Sequence, residues 1–75
     1  MKIVDLPTDR SIVGVKVKVP KAVADACDFP AEWGYIESWW MKGFWVTVTP
    51  GAARAYPLCF ETLDEMWGLE YVDEA

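Results

Sequence analysis

Histidine is absent from this chain of 75 residues. Without an imidazole, neither a Ser-His nor a Cys-His pair can be assembled, and a His-ligated metal site is excluded. Cysteine is scarce as well. Cys27 and Cys59 are the only two, too few for a four-thiolate zinc site, and without a secretion signal they are expected to be free thiols. Glycine never clusters: Gly14, Gly34, Gly43, Gly51 and Gly68 stand singly, so no glycine-rich loop cradles a phosphate. The C-terminal carboxylates lack the alternating pattern of an EF-hand, and nothing supplies the cleft that a glycosidase pair requires. The longest apolar run is interrupted by Lys42 and falls well short of the about 20 residues that cross a bilayer. No basic-then-apolar leader follows Met1. These absences lead to the expectation of a cytoplasmic protein, a single domain over residues 1–75, with no metal, no membrane segment and no cofactor.

Basic residues are missing from one stretch in particular. Residues 1–60 carry seven Lys and Arg against six Asp and Glu; the last fifteen carry Glu61, Asp64, Glu65, Glu70, Asp73 and Glu74 with no cation. The net charge of −5 therefore lies in the C-terminal segment. It is read as a solvated acidic end, or as a face for a basic partner. Such acidity opposes binding to a nucleic-acid backbone.

What the chain has in abundance is aromatic surface. Residues 33–48, WGYIESWWMKGFWVTV, hold four of the five tryptophans. A short chain needs bulky side chains to fold at all, so part of this surface is expected in the core. The remainder depends on strand register.

Residues 12–19, IVGVKVKV, alternate. Val13, Val15, Val17 and Val19 fall on one predicted face, with Lys16 and Lys18 on the other. Pro20 ends that strand, and residues 20–32 are predicted to be a long loop that admits one helical turn around Ala22 to Ala26. Met41-Lys42-Gly43 is then read as a three-residue hairpin loop with Gly43 left-handed. In that register Trp40 opposes Phe44 inside, while Trp39 opposes Trp45 outside. A two-residue Lys42-Gly43 loop would put Glu37 on the face of Phe44, Val46 and Val48, where burial of a carboxylate is costly. The expected outer face is therefore Trp33, Tyr35, Trp39 and Trp45.

Thr49-Pro50-Gly51 suits a type II turn. Arg54 to Phe60 forms a further strand with Tyr56, Leu58 and Phe60 on one face, and Pro57 suggests a sheet edge. Thr62 and Glu65 form a capping box that opens a helical turn; Leu63, Met66 and Trp67 share its face, and Gly68 ends it. Leu69 to Val72 is a last short strand. The result is an all-β chain: a small, partly open SH3-like barrel of about five strands with one helical turn near the C-terminus.

Specific residues carry a resemblance. Trp33-Gly34-x-Ile36-x-x-Trp39-Trp40, the valine strand after it, Ala53-Arg54-Ala55-Tyr56-Pro57 and Leu63-Asp64-Glu65-Met66 are similar to the plasmid-borne type II dihydrofolate reductases. The similarity covers roughly residues 33–66. It implies an SH3-like barrel that assembles as a tetramer around one pore, where a Val-Gln-Ile-Tyr-Pro segment binds folate and nicotinamide. Only Tyr56 and Pro57 match that segment here. Arg54 stands in place of the glutamine and would bring one guanidinium per subunit into the pore. A lysine in the family's first strand maps to Lys18 or Lys21, and this chain has some ten extra residues before Trp33.

Three functions compete. The first is a non-catalytic binding protein that uses Trp33, Tyr35, Trp39 and Trp45 for protein contact or self-association. The second, implied by the resemblance, is an NADPH-dependent reductase with Arg54, Tyr56 and Lys18 at a shared pore. The third is a single-stranded nucleic-acid binder that uses Lys16, Lys18, Tyr35 and Trp39.

Overall fold

Alternation of small apolar and charged residues makes a half-buried strand, and the chain uses it over a shorter stretch than the pattern predicts. A computed structural model describes residues 2–6 and 11–72. In it strand β1 is Lys16–Lys18, flanked by buried Val15 and Val19. Val13 does not join them. The Val15 amide donates to the Ile12 carbonyl, closing a turn through Val13 and Gly14, and Val13 is left 50% exposed.

Residues 20–32 are not an extended loop. They hold a helix, α1, at Lys21–Cys27, which ends on Asp28 in the left-handed conformation. A helix this short is unstable alone; it is held because Val23, Ala24 and Cys27 pack against the core. Phe29, just beyond it, is fully incorporated into that core.

Strand β2 is Trp33–Trp40 and β3 is Gly43–Thr47. They are joined by a two-residue loop, Met41-Lys42, in place of the three-residue loop expected. The pairs are Trp40 with Gly43, Trp39 with Phe44 and Ser38 with Trp45, then a bulge at Glu37, then Ile36 with Val46 and Tyr35 with Thr47. The bulge has a physical reason. A two-residue loop continued without interruption would set Glu37 opposite Val46 on the inner face. One extra residue expels the carboxylate and returns Ile36 to that position.

Gly43 also differs from expectation. It is not left-handed; among glycines that role falls to Gly14 and Gly51. Gly43 is required because a Cβ there would collide with the Leu58 carbonyl on the next strand and meet Trp40 Cζ2 at 3.0 Å. Gly34 has a comparable role, since a Cβ would strike Val46 and come within 2.8 Å of Phe29 Cζ.

Thr49 to Ala52 forms the turn the sequence predicts, with the Ala52 amide donating to the Thr49 carbonyl and Gly51 at φ 76°. Strand β4, Tyr56–Cys59, follows at an edge of the sheet, and Leu58 and Phe60 are buried as expected. Helix α2, Leu63–Trp67, is capped by Thr62, whose hydroxyl accepts from the Glu65 amide at 3.1 Å. Met66 is buried, and Trp67 meets Phe44 edge-on at 5.5 Å. Leu63 points away and is 58% exposed. The last strand, β5, is Tyr71–Val72.

The five strands form one antiparallel sheet in the order β4-β3-β2-β1-β5. The fold is a small all-β architecture with two short helices. The inner face contributes Val17, Ile36, Phe44, Val46, Leu58 and Tyr71 to a single core. A short 3₁₀ turn at Ile3–Asp5 ties the N-terminal segment to that core: Ile3 is buried and its amide donates to the Leu69 carbonyl. Both helices pack on the inner side, α1 through Val23, Ala24 and Cys27, α2 through Met66 and Trp67. Asp73 and Glu74, expected to be solvated, lie outside the described residues.

Candidate functional site

Side chains that alternate with the inner set along β1, β2 and β3 lie on the outer face of the sheet. The register makes this set explicit. Lys16 pairs with Tyr35 and Lys18 with Trp33; Tyr35 pairs with Thr47 and Ser38 with Trp45. Beyond the bulge Trp40 falls on the same side as Ser38.

The outer face is therefore Trp33, Tyr35, Trp40 and Trp45, with Lys16 and Thr47 among them. Three of the four aromatics expected there are present. Trp39 is not: it stands across from Phe44, on the other side of the strand. It is nonetheless 53% exposed at the rim. Trp40, expected in the core, is half-buried outside and packs on Trp45 with ring centroids 5.5 Å apart. Two adjacent tryptophans must face opposite ways on a strand. The choice between them depends on a bulge that hydrophobic alternation does not reveal.

The face has two parts. At the β1 side the Lys16 ammonium lies 5.6 Å from the Trp33 ring centroid and 5.9 Å from that of Tyr35. Each approach is within cation–π range. Thr47 beside them is completely buried, and its hydroxyl donates to the Tyr35 carbonyl at 3.5 Å. Nearer the hairpin the surface is more open. Trp45 is 40% exposed and paired with Pro57, while Trp39 and Met41 project at the tip.

The residues of the pore-type alternative are divided. Arg54 and Tyr56 come together, the guanidinium carbon 4.5 Å from the ring centroid. Tyr56 also meets Phe29 edge-on at 5.3 Å and packs against the core. Lys18 lies at the end of β1, with its ammonium 3.6 Å from Glu32. Among the described residues no group of three or more Cys, Asp or Glu is placed to hold a metal ion, and no helix is long and apolar enough to cross a membrane.

Compared with family models, with curated proteins and with solved structures, the chain matches none.

Proposed function

We propose that this chain is a small cytoplasmic binding protein, an SH3-like barrel without catalytic activity, that associates through the outer aromatic face of its sheet. The surface it meets is protein, and a second copy of the chain is the first occupant to test. One observation carries the reading. Both helices pack on the inner face, and on the outer face Trp45 is 40% exposed while Trp33, Tyr35 and Trp40 are partly buried. Strand order, the long first connection and the helical turn before the last strand support the SH3-like assignment.

The physical case rests on area and on edges. Tryptophan and tyrosine dominate association hot spots because each buries a large rigid surface at small entropic cost. A molecule measuring 31 × 27 × 19 Å has a broad face that can supply the about 800 Å² per partner of a stable interface. Association by strand addition is disfavoured at β4. The Phe60 amide donates inward to Lys42, so alternation turns position 57 outward, where proline offers no donor. A face contact needs no free edge.

Light scattering over a range of concentrations, with Trp45→Ser beside the wild type, tests the proposal. A concentration-dependent assembly abolished by Trp45→Ser, with the variant still folded, is the expected result. A wild type that stays monomeric at high concentration would contradict it. Oxidation of NADPH with dihydrofolate by the wild type would favour the reductase alternative, and tight, steeply salt-dependent binding of single-stranded DNA would favour the third reading.

A further inference from the structure

A second surface adjoins the β1 end of the aromatic face, with Lys18, the partner of Trp33, on its border. Helix α1, the end of β4 and the segment after α2 enclose an open groove of about 680 Å³, a size typical of concave sites that take a ligand. Apolar residues line it, with Val23 and Ala26 toward the surface and Phe60 and Leu69 buried beneath. Its polar residues are mainly of one sign: Glu61, Glu65 and Glu70 line it, and all three are exposed. Lys18 is the one cation among the lining residues, and its ammonium already lies beside the Glu32 carboxylate at 3.6 Å. No described cation forms an ion pair with the three glutamates.

We infer that this groove docks a basic amphipathic helix from a partner protein. The occupant follows from the two properties of the site. Apolar side chains spaced at i, i+3, i+4 and i+7 fit a groove lined by apolar residues. Lysines or arginines flanking that stripe meet the glutamates. Three like charges beside an apolar groove select against acidic segments and steer cationic ones. Glu61, Glu65 and Glu70 lie within one ten-residue segment around α2, and all three line the same groove. Lys18 borders both surfaces, but Trp45 does not line the groove, so a change at Trp45 separates the two.

The probe is a short fluorescent peptide of leucine and lysine in amphipathic order. Its control has the same composition in scrambled order. Binding to the full chain is followed by anisotropy at moderate salt. The amphipathic peptide is expected to bind at least about tenfold more tightly than the scrambled one. Glu61→Gln with Glu65→Gln should weaken it about tenfold and flatten its salt dependence. Ala26→Glu is the sharper variant, because it adds negative charge while spoiling the apolar lining. Weaker binding by Ala26→Glu supports the groove; stronger binding would mean that bulk acidity attracts the peptide and would overturn it. Equal affinity for the scrambled peptide would also overturn it. Trp45→Ser should leave the affinity unchanged, and loss of binding in that variant would move the site to the outer face. Circular dichroism confirms that each variant is folded.

Discussion

Phe44 and Trp45 are neighbours in sequence with opposite duties. Phe44 is completely buried, with Phe60 and Trp67 edge-on against it at 5.9 and 5.5 Å. Truncation to alanine removes that ring from a close-packed site, and Phe44→Ala should cost about 3–5 kcal/mol in denaturant unfolding. Trp40 packs on one neighbouring ring and is only partly buried, so Trp40→Ala should cost about 1–2 kcal/mol. A loss for Trp40 as large as that for Phe44 would contradict the bulged register. Gly43 is the most restrictive single position. A methyl group there meets a backbone carbonyl, which cannot rotate away as a side chain can, so Gly43→Ala should cost about 2–4 kcal/mol. If it proved neutral, β3 and β4 would have to be farther apart than described.

At the level of elements, the clearest sequence signals were those with local causes. Thr49 to Ala52 turns as its Pro-Gly pair requires, and the Thr62 hydroxyl caps α2. Thr62→Ala should lower stability by about 1 kcal/mol, because one helix amide loses its acceptor. The inner positions from Val15 to Val19 were equally legible, since valine alternates there with lysine, and Leu58 and Phe60 followed from their spacing around Cys59. Three features had tertiary causes and were not legible. The bulge at Glu37 arises because the loop length and the carboxylate make incompatible demands, and in Ser38-Trp39-Trp40 no polarity contrast marks which tryptophan faces out. The helix α1 has small apolar residues and is held by packing, so composition alone resembles a loop. Gly43 is explained by the Leu58 carbonyl, a residue fifteen positions away. For the candidate site the consequence is specific: Trp33, Tyr35 and Trp45 could be identified from sequence, whereas Trp40 required the bulge. Pro57 permits a further test at this scale. Pro57→Thr restores an outward amide to an edge strand, and the variant should aggregate more readily than the wild type in turbidity measurements at equal concentration.

For the whole molecule, the division of labour is between a face closed by both helices and a face of partly buried aromatic rings. The inner side is closed by both helices and the N-terminal 3₁₀ turn, which gives this short chain one continuous core. On the outer side Trp45 is 40% exposed, and Trp33, Tyr35 and Trp40 keep part of their rings at the surface. In water they forgo burial worth about 25 cal/mol per Å², which association would recover. Because Trp45 contributes little to the core, Trp45→Ser should shift the melting temperature by less than about 8 °C at dilutions where the protein is monomeric.

The most direct measurement is ¹⁹F NMR of the chain labelled with 5-fluorotryptophan, recorded across a dilution series and assigned with single Trp→Phe variants. Association through the outer face predicts that the Trp40 and Trp45 resonances shift with concentration, while that of Trp67, packed on Phe44, stays in place. Resonances of Trp40 and Trp45 that do not move from the most dilute to the most concentrated sample would contradict it.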